Sequence, residues 1–249
     1  MKLRLKNILF FLLLVPFLLC SEQRTEQLIF GVPAKCDLLI HKQGFTIGYS
    51  QKYKQALWVG YVLRAEDLTG PQVRRKNRFR KDPAVKINPV LPSDYFQSGF
   101  DRGHLAPAAD MTYSILTEQE SFFMTNMSPQ VPGCNRGIWK RVEKQVRKWA
   151  IREERLCIVT GPIFLEDYQK MGKAEIAIPV AFYKVILDLT PPRKMIAFIV
   201  PNQASRRRIQ SFVVSVQTVE RLTGYLFFST LQDPAKDPMK TYSNLSVWE

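Results

Sequence analysis

The sequence predicts a single α+β domain organised on a large, mostly antiparallel central sheet flanked by helices and long loops. Three observations carry that reading. Two pairs of β-branched and aromatic runs, each pair separated by a short polar or proline-rich turn, read as hairpins. One basic stretch repeats apolar residues at helical spacing. Residues 38–232 contain no internal repeat, low-complexity tract or linker-like break, so these elements belong to one core.

Residues 1–20 read as a targeting segment. Lys2, Arg4 and Lys6 form a basic head before an apolar run from Ile8 to Leu19, broken only by Pro16. The run is shorter than the ~20 apolar residues of a bilayer span, and its layout is that of a secretory signal peptide. A retained signal anchor, tethering the domain to a membrane through residues 1–20, is the alternative. Lipidation at Cys20 fits less well, because Phe17-Leu18-Leu19 lacks the small residues such processing prefers. A mitochondrial presequence also fits less well, because the segment is continuously apolar and not amphipathic and Arg/Ser-rich. The expected location is therefore exported: periplasmic, cell-surface or secreted.

Residues 21–37 form a polar lead-in. Phe45–Ser50 and Ala56–Leu63 make the first hairpin, and His41, just before it, reads as incidental or structural. Arg74-Arg75-Lys76-Asn77-Arg78-Phe79-Arg80-Lys81 holds six basic side chains, one aromatic and no acid. This composition suits a loop lining a nucleic-acid groove, though basic runs also serve as solvated loops. Residues 89–99 are connective and lead into a turn at Asp101-Arg102-Gly103-His104. Ala108–Glu120 is short and mixed. Phe122–Met127 reads as a strand closed by Ser128-Pro129, and Pro132-Gly133 marks a turn. A helix is expected from Asn135, with Ile138, Val142, Val146 and Trp149 facing the core. Cys157–Thr160, Ile176–Pro179, Ala181–Leu189 and Met195–Val200 read as strands, the last two as a hairpin. Arg206–Leu222 is expected as a helix despite its valines. Residues 233–249 are expected to be a peripheral tail.

Hydrophobic residues at 46% and aromatics at 12% over 249 residues exclude disorder as a description of the whole chain. The formal charge of +14 points to a polyanionic partner or a membrane surface. Two histidines and scattered cysteines leave little from which to build a zinc site, so a catalytic metal here should be a hard, oxygen-liganded ion. In an oxidising compartment Cys36, Cys134 and Cys157 could form one intramolecular pair at most.

The chemistry concentrates at Asp101–His104. An imidazole titrating near neutrality can take a proton from water, an arginine can grip phosphate through paired donors, and glycine permits close approach. Downstream follow Asn126, then Asn135-Arg136-Gly137-Ile138-Trp139-Lys140-Arg141-Val142-Glu143. The order of His, Asn and Glu in a strand–strand–helix arrangement resembles the DNA/RNA non-specific endonuclease family, the ββα-metal relatives of mitochondrial endonuclease G. Asp82-Pro83 and Asp94-Tyr95 also match. The resemblance implies a ββα-metal nuclease fold over residues 38–232.

It further implies a Mg²⁺-dependent endonuclease acting on DNA and RNA, with Mn²⁺ as an alternative ion and 5′-phosphate and 3′-hydroxyl ends as products. By position, His104 is then the general base and Asn135 the direct metal ligand. Glu143 orients a water of the ion, and Asn126 helps place the catalytic groups. Arg102 and Arg147 contact phosphate, Arg75 is a further phosphate-binding arginine, and Asp101 holds its neighbours in place. Mg²⁺ keeps most of its waters, so a single amide oxygen suffices once phosphate supplies another ligand. A disulfide at Cys134 would fix or distort Asn135. Two other readings share these residues: a non-cleaving surface nucleic-acid-binding protein, and a membrane-tethered nuclease acting in DNA uptake. Binding alone needs none of His104, Asn135 and Glu143.

Overall fold

The computed structural model describes residues 26–233 and 236–249. The targeting segment and possible tether over residues 1–20 therefore lie outside the described residues, as does the start of the lead-in.

The strands, in chain order, are β1 (Leu38–His41), β2 (Thr46–Ser50), β3 (Gln55–Arg64), β4 (Asp101–His104), β5 (Met127–Gln130), β6 (Arg155–Ile163), β7 (Lys170–Met171), β8 (Ile176–Ala177), β9 (Ala181–Asp188), β10 (Met195–Pro201) and β11 (Val213–Val214). The helices are α1 (Ala65–Thr69), α2 (Ile115–Ser121), α3 (Lys140–Arg152), α4 (Val216–Thr223) and α5 (Lys236–Thr241). Seven strands form one sheet in the order β1-β2-β3-β6-β9-β10-β11, and every neighbouring pair in it is antiparallel. Both hairpins read from the sequence are present, as β2–β3 and β9–β10.

Strand alternation sends side chains to two cores. Val59, Tyr61, Leu63, Ile158, Phe182 and Ile186 face α3, whose Ile138-side turn and Val142, Val146 and Trp149 are buried against them. Trp58, Val62, Val159, Val185 and Leu187 face the opposite way, toward Val216 and Val219 of α4 and the lead-in residue Leu28. A sheet covered on both faces accounts for central strands with no exposed residue, such as β9.

The β4–β5 ribbon lies on the α3 side, with Asp101 opposite Gln130 and His104 opposite Met127. The DRGH stretch is therefore a strand and not the expected turn. Gly103 is needed there, because a Cβ would lie 2.2 Å from the Gln130 side chain. The strand expected over Phe122–Met127 is also displaced. Met124–Asn126 is a 3₁₀ turn, and pairing begins at Met127. Phe122 and Phe123 are both buried but show no period of two, so their apolarity reflects packing beneath the basic loop.

The helix expected over Arg206–Leu222 shrinks to α4. Ser215 caps it by accepting from the Thr218 N–H at 3.1 Å, and Gly224 ends it at φ 71°. Val213 and Val214 instead extend the sheet edge, as β-branching favours. The tail expected to be peripheral is tied to the core at its far end. Trp248 is fully buried with its ring 4.9 Å from Trp149, and Arg152 donates to the carbonyls of Trp248 and Glu249. Cys36, Cys134 and Cys157 are free, and Cys134 donates to the Pro201 carbonyl, so the disulfide considered beside Asn135 is not formed. Removing a buried indole costs about 3–5 kcal/mol. Trp248→Ala is expected to lower stability by that amount in urea unfolding, and a loss below ~1 kcal/mol would show that the C-terminal turn is dispensable.

Candidate active site

His104 sits at the end of β4, and the chain beyond it is fixed by Asn126. The Asn126 side chain accepts from the Ala106 N–H and donates to the carbonyls of Ala106 and Ser121, each at 2.9 Å. Asn126 is fully buried and does not line the pocket. Its contribution is positional: it fixes the backbone that follows His104. All of its polar groups are engaged with backbone, so it acts by placing its neighbours and not by touching a substrate.

The imidazole rests in an aromatic corner. Phe122 meets it edge-on at 5.0 Å and Phe79 lies at 5.8 Å. The same two rings carry guanidinium groups, Arg102 over Phe79 at 4.5 Å and Arg75 over Phe122 at 5.3 Å. The aromatic within the basic run is therefore part of the wall behind His104. Burial, joined by the Arg75 charge, pushes the imidazole down to about 3, so it is neutral at physiological pH. Its Nε2 is buried without a protein hydrogen-bond partner.

Asn135 lies across from this corner in a wide, π-type turn over Cys134–Trp139 that leads into α3. It is not the cap of a regular helix. Gly133 already has helical dihedrals, and Gly137 (φ −105°, ψ −106°) breaks the turn before α3 begins. Asp101 of β4 accepts from Asn135 Nδ2 at 2.9 Å and, through both oxygens, from Arg136. Against the effect of burial, hydrogen bonds from Arg136 and Asn135 hold the Asp101 carboxyl below its ordinary range. With its nitrogen donating to Asp101, the Asn135 amide oxygen is left free to accept or to bind a cation.

Glu143 and Arg147 stand four residues apart on α3 and both line the pocket. Arg147 Nη1 donates to the buried Asp110 at 2.7 Å, so the arginine expected on phosphate is first of all an ion-pair partner. Asp110 also accepts from Tyr61 Oη at 3.1 Å, and the buried Lys184 of β9 donates to that oxygen at 3.4 Å. Burial pushes the Glu143 carboxyl up, Lys184 opposes and Asp110 adds, leaving it at about 7. Burial likewise pushes the Lys184 ammonium down to about 8, against the pull of Glu143 and Asp110.

Sequence reasoning missed Asp110, Lys184, Phe122 and Arg136. The strongest available signal was Lys184, a lone cation in an otherwise apolar strand pattern. One pocket of about 450 Å³ brings together Arg75, Arg102, His104, Asn135, Glu143 and Arg147, with Asp101 in its lining. Among the described residues no group of three His, Cys, Asp or Glu side chains could cage a metal ion. The donor set suits instead a hard ion that retains most of its waters, with the Asn135 oxygen as its protein ligand and the Glu143 carboxylate in reach of the same space. Chemically, the pocket combines a neutral imidazole, an amide oxygen, a carboxylate and guanidinium groups. That set suits attack of water on a phosphodiester.

Comparison with known proteins agrees with this chemistry. The family model for DNA/RNA non-specific endonuclease matches residues 23–234. Human mitochondrial endonuclease G is 33% identical over 213 residues, covering 80% of this chain and 71% of that protein. The mitochondrial nuclease EXOG of Danio rerio is 33% identical over 220 residues, covering 82% of this chain and 64% of that protein. A chain from the crystal structure of the EndoG/EndoGI complex superimposes with a TM-score of 0.78 at 30% identity, covering 83% of this chain and 91% of that one. The expectation of an exported protein is overturned, because these relatives are mitochondrial nucleases and point to the mitochondrion. A basic head and an apolar run do not by themselves separate the two destinations. The span of the match, the shared fold and the assembled pocket lead to one conclusion: the chain is a nuclease and belongs to the DNA/RNA non-specific endonuclease family.

Proposed function

We propose that the chain hydrolyses phosphodiester bonds of DNA and RNA without regard to base sequence or sugar, leaving 5′-phosphate and 3′-hydroxyl ends. His104 acts as the general base and Asn135 holds a divalent ion. The observation that carries this reading is that His104 and Asn135 line the same pocket, each with one polar atom unclaimed by protein. The pocket offers charge and aromatic faces, which engage a backbone and read neither base edges nor the 2′-hydroxyl.

His104 takes a proton from water. The water oxygen bonds to phosphorus, the bond to the 3′-oxygen breaks, and that oxygen leaves to be protonated by solvent. A protonated imidazole is disfavoured by burial and by Arg75, and the substrate phosphate offsets both with its negative charge. Proton transfer is thereby favoured once substrate is in place. Arg102 and Arg75, held over the rings of Phe79 and Phe122, present their N–H donors to phosphate. Arg147 is restrained by Asp110 and keeps its remaining donors for the same anion. Glu143 accepts a hydrogen bond from water and orients it, and Asp101 keeps the Asn135 amide turned so that its oxygen is free. Magnesium, with manganese as an alternative, supplies when bound the positive charge that offsets the extra negative charge on the phosphate and the departing oxygen.

His104→Ala is expected to retain the fold and duplex affinity while kcat falls ~10²–10⁴-fold. Retained turnover in a plasmid-nicking assay would remove His104 from the chemistry. Asn135→Ala should abolish calorimetrically detected Mg²⁺ binding without lowering Tm by more than a few degrees, whereas an unchanged ion affinity would place the ion elsewhere. For pH dependence, the ionised carboxylate is the active form of Glu143 and its pKa is raised to about 7. At low divalent-ion concentration kcat/KM should therefore rise with pH to about 7 and then level off. Glu143→Gln should be slower and lack that limb. A limb unchanged in Glu143→Gln would assign it to another group.

A further inference from the structure

Outside the pocket, the largest unassigned charged feature is Arg206-Arg207-Arg208. It lies in a stretch with no Asp or Glu between Asp188 and Glu220. All three arginines are exposed, and none is ion-paired among the described residues. Elsewhere arginines do find acids, as Arg64 and Arg155 do on Glu26.

The loop carrying them is anchored to the segment that leads into the Asn135 turn. Asn202 accepts from the Val131 N–H at 2.8 Å and donates to the carbonyls of Pro129 and Pro179, each at 3.0 Å. A Cβ on Gly133 would lie 2.5 Å from that of Ala204, so the loop touches the turn immediately before Asn135. Arg141 of α3 donates to the Ser205 carbonyl at 2.9 Å, and Arg207 lies 5.7 Å over the Phe212 ring. Lys140 and Lys144, also exposed, continue the positive surface along α3 to the pocket, which Lys140 lines.

Holding Arg141 against a triple-arginine loop costs like-charge repulsion, and none of the four arginines is ion-paired among the described residues. A polyanion relieves it. The anchoring by Asn202 and Gly133 also fixes these cations relative to the metal ligand Asn135, which a merely solvated loop would not require.

We infer that the Arg206–Arg208 loop and the exposed face of α3 form a phosphate track. This track holds the nucleic-acid backbone on the α3 side of the scissile bond, across the pocket from the 74–81 basic run. The inference rests on the nuclease reading above and adds a second shore to the groove. Its contacts are to phosphate, so it acts on long substrates and leaves the chemical step alone.

The test compares wild type, Arg206→Ala/Arg208→Ala and the control Arg221→Ala, whose residue lies on α4 against the opposite face of the sheet. Arg207 is kept because it packs on Phe212. For each protein, kcat/KM on a long duplex and on a short oligonucleotide filling only the pocket is measured against KCl, and duplex binding is followed by anisotropy. The double variant should raise KM for the long duplex on the order of tenfold and reduce the log–log salt slope by about 1–2. Its kcat and its short-substrate cleavage should be unchanged, and Arg206→Lys/Arg208→Lys should restore the wild-type slope. An unchanged slope and KM, or an equal effect from Arg221→Ala, overturns the track. Should wild type cleave neither substrate, the mechanistic reading fails, and the anisotropy salt slopes still decide the track.

Discussion

A single carboxylate joins the two halves of this site. Asp101 belongs to the ribbon that carries His104, and its carboxylate accepts from the amide nitrogen of Asn135, which belongs to the turn leading into α3. Asp101 thus ties His104 and Asn135 to one another and holds the Asn135 amide through its nitrogen. Arg136 closes on the same carboxylate and keeps it ionised, the state in which it accepts from both partners. The large sheet acts beneath this as a platform: β3, β6 and β9 present to the α3 side the apolar faces on which the ribbon and the helix rest.

The second constraint is charge balance beneath the pocket. The Asp110 carboxylate lies close enough to Glu143 to add to the cost of ionising it, and Arg147 and Lys184 favour the charged forms of both acids. Lys184 is fully buried on a central strand, where an unpaired ammonium would be strongly destabilising. Its placement under the rings of Trp139 and Tyr61 and beside the Tyr61 hydroxyl makes burial tolerable. The site therefore has positive charge on both sides of Glu143, from Lys184 below and from the arginines at the rim above.

Much of this was legible before the coordinates. The spacing of Ile138, Val142, Val146 and Trp149 announces the core face of α3, and the two hairpins announce the sheet. His104 stands out because histidine is scarce, and Asn135 and Glu143 because their spacing after it matches the family they resemble. Other features depend on contacts between distant segments, which no local pattern encodes. Phe79 and Phe122 form one corner although they are far apart in the chain, and each taken alone looks like a core residue or a stacking platform. The C-terminal turn reads as polar and loose until Trp248 is seen filling the space beside Trp149. The family resemblance places Arg147 on phosphate. Its commitment to Asp110 is not legible in the sequence, since that partner sits in a separate 3₁₀ turn.

The most direct measurement of the central claim is a crystal structure of the protein soaked with Mn²⁺, using anomalous scattering to locate the ion. The account predicts an anomalous peak on the side-chain oxygen of Asn135, in the space shared with His104, with Asp101 still accepting from the amide nitrogen. A peak outside that pocket, or an Asn135 amide turned so that its nitrogen faces the ion, would contradict it.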